Sequence, residues 1–268
     1  MDSEGKERGP ESSEREKLEG PMKPRAYRPR GRRVIAALLA ASALILWAAA
    51  ARAGQIEDLA ARLNSKYAGF DRAMNNVVIK TLEHSAGQVS NSMTIYRKGD
   101  KLRIESTVMI PGVQPKGAGG LTTVLLWDGA SAWMITPSGQ KKIPGVNRGS
   151  FEAENNWWKE IAHGAKITGE QTVNGRQCYV MENPGRDARF CHMWIDKRDL
   201  VMVKAQARSP EGKKLEWLFS DFKKTGGWEV PFRTETFVEG QPVSTSVIQS
   251  YELGRELPDS LFEPASGK

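Results

Sequence analysis

Two cysteines and three histidines are the residues of this chain best suited to covalent or metal chemistry. Cys178 and Cys191 flank the segment "YVMENPGRDARF", whose Asn183-Pro184-Gly185 run is turn chemistry, so the two thiols are expected to face each other across a hairpin. An oxidising compartment would let them bond, and closing so small a loop would add roughly 3 kcal/mol at most in the loop-entropy picture. Two buried free thiols are the alternative, and the spacing is not the C-x-x-C of a catalytic redox pair. His84, His163 and His192 are scattered among strand and helix ends, without a Cys/His/Asp cluster at ligand spacing. Neither a metal site nor a nucleophilic triad is expected. The chain holds no G-x-S-x-G, no H-E-x-x-H and no P-loop. "SDFK" at Ser220–Lys223 satisfies S-x-x-K, but it falls at a strand end without its companion motifs. No enzyme activity and no cofactor are expected.

The residues left to carry a function are apolar. In "LLWDGASAWMITPSGQKKIPG", residues 125 to 145, two tryptophans and a methionine surround a turn signal. If 121–127 is a strand, Leu121, Thr123, Leu125 and Trp127 line one face, and Thr122, Val124 and Leu126 line the other. Across Asp128-Gly129, Trp133 and Ile135 alternate with Ala132, Met134 and Thr136. Neither face is polar, so both must be covered, one by a core and the other by helices or an apolar ligand.

The elements that would position this hairpin are one helix followed by strands. In "QIEDLAARLNSKY", Ile56, Leu59, Ala60 and Leu63 recur at helical spacing and form a single apolar face. The period then changes to two. Strands are expected at 75–83, 90–97, 101–109, 121–127, 131–136, 177–182, 189–195, 200–207, 214–222, 230–238 and 243–253. Gly-Asp at 99–100, Asp-Gly at 128–129, Ser-Gly at 138–139 and Gly-Gly at 226–227 separate or follow them as turns. About eleven antiparallel strands in series imply a large, strongly curved sheet or a barrel. A second helix is expected in "SFEAENNWWKEIAHG", with Ser150 as N-cap, Glu152 in the first turn, Gly164 after the last apolar residue, and Phe151, Trp158 and Ile161 on one face. The segment "PGVQPKGAGG", residues 111 to 120, is too rich in Pro and Gly for regular structure and reads as a functional flap.

The first 53 residues are of a different character. Residues 1–21 have almost no apolar side chains and read as a disordered extension, with Met22 as an alternative start. Residues 22–53 read as a signal peptide: the basic "MKPRAYRPRGRR", an apolar run from Val34 to Ala51, and Ala51-Arg52-Ala53, with cleavage expected after Ala53. The competing reading is an inner-membrane anchor over residues 34–51, although alanine contributes little insertion energy per residue. Of the 39 Lys and Arg, eleven precede residue 54, as do seven of the 32 Asp and Glu, so the stated net charge of +7 falls to about +3 for residues 54–268. No basic cluster interleaved with aromatic residues follows residue 53, and nucleic acid is not an expected partner.

The order of an amphipathic helix, "MTIYRKGDKLRIES", a Pro/Gly loop, "LLWDGASAWMITPSGQKK" and a terminal "LPDSLFEP" resembles the LolA-like, outer-membrane lipoprotein-sorting group over residues 55 to 264. The resemblance implies an incomplete antiparallel β-barrel closed by α-helices over an apolar cavity for the acyl chains of lipoproteins or lipids. It implies one domain over residues 54–268, acting as a periplasmic carrier with transient membrane contact. An inner-membrane donor and an outer-membrane acceptor would be its partners. Leu125, Trp127, Trp133 and Ile135 would then belong to the cavity wall, and the helix around Trp157 and Trp158 would be its lid. The family chaperone holds its lid with an arginine shortly before the strand matching 101–106. Gly99 stands at that place here, and Arg97 and Arg103 are the nearest candidates for the role. A lipid- or lipoprotein-sensing module of the same fold, bound to a regulatory partner, is the alternative. An enzyme of another kind or a structural envelope protein remains as a third class.

Overall fold

The computed structural model describes residues 54–85, 90–109, 121–146, 156–162, 164–185 and 189–264. The expectations for residues 1–53, for the loop at 111–120, and for Ser150, Phe151 and Glu152 lie outside them. The first element is helix α1, residues 54–66, followed by the one-turn helix α2, Phe70–Ala73. Leu59 and Leu63 are 1% and 0% exposed, while Glu57, Asp58 and Arg62 on the opposite side face solvent, as the spacing predicted. The same stripe continues through Tyr67, Phe70 and Met74, all buried. It survives the break between the helices because Gly69, at φ 79°, takes the left-handed conformation that turns the chain at little cost.

Among the described residues the strands form a single antiparallel sheet of thirteen strands. They are β1 (Asn76–Ser85), β2 (Ser90–Lys98), β3 (Lys101–Met109), β4 (Leu121–Trp127), β5 (Ala132–Thr136), β6 (Gly139–Ile143), β7 (Lys166–Val173), β8 (Arg176–Glu182), β9 (His192–Asp196), β10 (Met202–Arg208), β11 (Lys214–Thr225), β12 (Trp228–Val238) and β13 (Gln241–Leu253). Two meanders, β1 to β6 and β7 to β13, meet where β1 pairs with β13. β6 pairs only with β5 and β7 only with β8, so the sheet stays open between them. The eleven expected strands are all present. The two that periodicity missed, "GQKKI" and "KITGEQTV", are the two sheet edges. An edge strand has one neighbour and carries polar side chains that discourage further pairing, which erases the apolar alternation used to find it.

Turn chemistry is where the sequence reads most directly. The long β11–β12 hairpin closes on Gly226 and Gly227 at φ 59° and 99°, the positive values that a two-residue hairpin turn requires. A Cβ on Gly226 would stand 2.3 Å from Leu253 Cδ1 of β13, so this turn is also a close approach. The expected second helix is instead a 3-10 helix, Trp157–Ala162, opened by an i to i+3 bond from Lys159 N–H to Asn156 O at 3.0 Å. Trp158 and Ile161 are nonetheless buried together in the main core, at 4% and 2% exposure.

The two faces of the sheet are covered differently. One carries α1, α2 and the 3-10 helix, packed on Val77 and Ile79 of β1 and on residues of β8 to β11. The other carries the C-terminal segment, whose Leu257 and Phe262 pack on Val78 and Leu126. A short 3-10 helix, Asp259–Phe262, is fixed there by Lys98 Nζ and Lys101 Nζ, 3.2 and 3.1 Å from Asp259 Oδ1. Among the described residues no helix is long and apolar enough to cross a membrane.

The expected disulfide is corrected by register. In the β8–β9 hairpin Cys178 stands opposite Asp196, whereas Cys191 O accepts from Asn183 N–H, five residues further along β8. At about 3.3 Å per residue the two thiols are some 16 Å apart along the strand, beyond the ~7 Å that a disulfide can bridge. Both are free, and each sulfhydryl donates to a backbone carbonyl, Cys178 to Arg176 O and Cys191 to Gln206 O, at 3.3 Å each. Burial pushes the Cys178 thiol up from its ordinary value, which keeps it protonated.

Candidate functional site

Between the helices and the sheet lies a cavity of about 230 Å³. Its roof is aromatic. Tyr67 stacks on Trp158 with ring centres 4.4 Å apart, and Trp157 meets Tyr67 edge-on at 5.6 Å. Phe70 bridges Trp158 and Trp228 at 5.6 and 5.3 Å. The floor is a cross-strand row of Ile95, Ile79 and Tyr251, with Ile248, Val230 and Phe219 beside it. Rings of this size make rigid apolar walls, and ring pairs in these geometries hold one another beyond their area of contact.

The roof is anchored where α1 ends. Lys66 O, a last-turn carbonyl without a helical partner, accepts from Trp228 Nε1 at 3.1 Å. Lys66 Nζ donates to Asp199 O and pairs with Glu229 Oε2 at 3.2 Å, and Arg62 Nη2 donates to Lys197 O at 3.3 Å. The β9–β10 turn that receives these bonds is itself braced: Asp196 Oδ1 accepts the Arg198 and Asp199 backbone N–H groups, and Arg176 Nη1 reaches Asp199 Oδ2 at 2.8 Å. Lys159 of the 3-10 helix pairs with Asp71 of α2, which ties the two parts of the roof together.

Tyr67 hydroxyl donates to Leu200 O at 3.3 Å, and Tyr251 hydroxyl donates to Met74 Sδ at 2.7 Å. Burial raises both phenols far above their ordinary value, with Glu229 adding to the effect at Tyr67 and Arg97 opposing it at Tyr251. Both stay neutral at any physiological pH. Among the described residues the cavity wall is therefore uncharged except for Glu229, whose carboxylate is engaged by Lys66.

Of the residues chosen from the sequence, Trp158 lines this cavity, as does Trp157, the other tryptophan of the expected lid. Leu125 and Trp127 share its face of the sheet but stand farther out: Leu125 lies in the row Met134–Leu125–Ile104–Ile95–Ile79, three strands from β1. Arg97 is on that face too, opposite Val77 and Leu102, one row beyond Ile79. Trp133 and Ile135 are on the other face, packed with Val78, Leu126, Leu257 and Phe262. The four hairpin residues thus do not make one wall. The reason is loop length. Four residues, 128–131, join the strands and pair Trp127 with Ala132, so odd positions of β4 share a face with even positions of β5. Asp128 fixes that loop by accepting from Ala130 and Ser131 N–H and from Trp133 Nε1, at 2.7 to 2.8 Å. Burial pushes its carboxyl up, but these three donors outweigh it and hold it below the usual value. Arg103 is likewise on the face away from the cavity, bonded to Glu105 Oε1 at 2.7 Å and to Leu261 O at 3.3 Å. It fastens the C-terminal segment, and no roof residue is among these partners.

Tyr67, Phe70, Ile79, Thr81 and Tyr251 were missed. Tyr67 and Phe70 had a signal, because extending the helical stripe 59, 63 by one more turn reaches 67 and 70. Ile79 and Thr81 alternate along β1, but only pairing with β13, far away in sequence, brings them beside Ile248 and Tyr251.

No protein-family model and no curated protein matches the chain. Solved structures do. A DUF1329 family protein from Desulfovibrio piger ATCC 29098 is 15% identical, covers 79% of this chain and 97% of its own, and superposes with a TM-score of 0.55. That likeness shows a shared fold. The LolA superfamily protein NE2245 from Nitrosomonas europaea is 18% identical over 70% of this chain and 90% of its own, with a TM-score of 0.47. The group that the sequence resembles is thus among the structural matches.

Proposed function

We propose that the protein is a carrier that takes apolar chains, of lipids or of acylated proteins, into the cavity beneath α1 and the 3-10 helix. The carrying observation is the roof itself: Tyr67, Phe70, Trp157 and Trp158 stack on one another and leave about 230 Å³ open between them and part of the sheet. A solid core would fill that space, since voids forfeit contacts on both walls. Enclosed sites with apolar, aromatic walls and few polar groups are the usual form of a small-molecule pocket. The resemblance to the lipoprotein-sorting group and the signal-like segment before residue 54 support a periplasmic setting. There, chains would be received at the inner membrane and passed towards the outer one.

The test is binding. Ile95, half-buried on the cavity floor, can be replaced by tryptophan so that the new ring fills the space. Ile95→Trp is expected to weaken binding of a fluorescent fatty-acyl probe at least about tenfold, or ~1.4 kcal/mol, with the melting temperature within a few degrees of the parent. A parent protein that binds no acyl probe, and carries no lipid in native mass spectrometry after purification from the periplasm, overturns the reading.

A further inference from the structure

The cavity has a polar corner. Thr81 of β1 stands opposite Ile248 of β13, and Ser246, two residues along β13 on the same face, stands opposite Thr234 of β12. All three hydroxyl residues line the cavity. Facing residues on neighbouring strands have Cβ atoms about 5 Å apart and diagonal ones about 7 Å, so one small group can bridge Thr81 and Ser246, while Thr234, two strands from Thr81, stands beyond Ser246. Thr81 is 8% exposed, and its Oγ1, shielded from water, has no hydrogen-bond partner among the described residues. The two cavity phenols have theirs, in Leu200 O and Met74 Sδ. A buried hydroxyl left without a partner is a standing cost that an incoming polar group removes.

The charges around this corner select the group. Among the described residues, neither lysine nor arginine lines the cavity. Glu83 stands opposite Ser246, and Glu229 already holds Lys66. Arg97 lies one row beyond Ile79, on the side away from Thr81. A carboxylate or phosphate brought to Thr81 would therefore lose its hydration, meet no cation and face a carboxylate. A hydroxyl can both donate and accept, which matches two hydroxyl partners. At about 230 Å³ the cavity is smaller than the roughly 300–1,000 Å³ of pockets that take drug-sized ligands, which favours one slender chain.

We infer that the ligand of this cavity is a single-chain lipid whose head is uncharged and carries a hydroxyl, such as a monoacylglycerol or a long-chain alcohol. The hydroxyl sits between Thr81 and Ser246, and the chain runs under Tyr67 and Trp158. This rests on the carrier reading and narrows it.

Trp157 and Trp158 line the site, so their fluorescence reports occupancy. The purified protein is titrated with monodecanoylglycerol, decanoate, decylamine and methyl decanoate, which share a chain and differ in the head. Monodecanoylglycerol is expected to bind about tenfold tighter than decanoate. Thr81→Val keeps the shape and removes the hydroxyl. It should weaken monodecanoylglycerol severalfold, leave methyl decanoate unchanged and not lower the melting temperature. Ser246→Ala serves as a second, independent variant with the same expected direction. Decanoate or decylamine binding as tightly as monodecanoylglycerol, or both variants keeping the full preference, overturns the inference and leaves the carrier reading standing. If none of the four binds and a longer acyl probe also fails, the carrier reading falls with it.

Discussion

The two faces of the sheet are built from the same strands and covered by opposite means. On β1, Val77, Ile79 and Thr81 look towards the helices, while Val78 looks towards the C-terminal segment. On the second face a short stretch of chain inserts Leu257 and Phe262 between Val78 and Leu126, and ion pairs from Lys98 and Lys101 with a backbone bond from Arg103 hold it down. On that side these residues form one buried cluster. On the first face the cover is a set of large rings that satisfy one another, Tyr67 on Trp158 and Phe70 on Trp228, and span the floor without filling it. The difference teaches that burial alone does not identify a binding wall. Phe262 and Trp158 are both hidden, at 1% and 4% exposure, yet Phe262 packs in the second cluster and Trp158 lines the cavity.

The sharpest test of this contrast is truncation on each face. Phe262→Ala should cost about 3–5 kcal/mol, as loss of a fully enclosed ring does, and lower the denaturant midpoint accordingly. Ile95→Ala, on the cavity floor, removes atoms that are already partly in the open, so its cost should stay below about 1.5 kcal/mol. Equal losses in urea unfolding would mean that the cavity side is as tightly packed as the other, and the contrast would be wrong.

A charge placed on the hairpin separates the faces more finely. Trp133→Glu would bury a carboxylate against Leu126 and the C-terminal segment and remove the indole N–H that Asp128 accepts, costing several kcal/mol. Whatever folded protein remains, at low temperature, should still bind the acyl probe, because Trp133 is across the sheet from the cavity. A variant that melts like the parent but has lost the probe would put Trp133 in the cavity wall after all.

The smallest effect expected is on acidification. The hydrogen bond from Arg198 pulls the Asp199 carboxyl down to about 2, partial burial opposing it and Arg176 assisting. Its folded value lies below the ordinary 3.8, so its contribution is complete above that pH and is lost as the pH falls towards 2. Because Asp199 O receives Lys66, the roof should loosen there before the C-terminal face does. Hydrogen exchange of α1 and of the 259–262 segment, compared between pH 4 and pH 2, reads this directly. Simultaneous loss of protection in both would show that the turn does not anchor the roof separately.

Local physics made much of this protein legible from its sequence. The apolar stripe at 56, 59, 60 and 63, the switch to a period of two, and the Gly-Gly turn at 226–227 all depend on residues within a few positions of one another. All of them appear in the structure. Trp158 could be placed for the same reason, as part of a short apolar face with Ile161. The edge strands escaped because a polar edge has no alternation to display, and the cysteines and the tryptophan hairpin were misjudged by register. A shift of a few residues separated Cys178 from Cys191, and a four-residue loop put Trp133 on the other face from Trp127. Register depends on loop geometry as well as on pattern, so alternation alone says that two faces exist and not which residue of the next strand shares them.

What the sequence determined by itself is thus the set of elements and their apolar sides, because hydrogen bonding and side-chain periodicity act over one strand or one helical turn. What only the tertiary structure decided is the closure of β1 on β13, which sets Thr81 beside Ile248 and brings Tyr67, Trp158 and Tyr251, from distant parts of the chain, around one cavity. Such contacts depend on how the meanders stack and on what covers each face, and no local pattern records either.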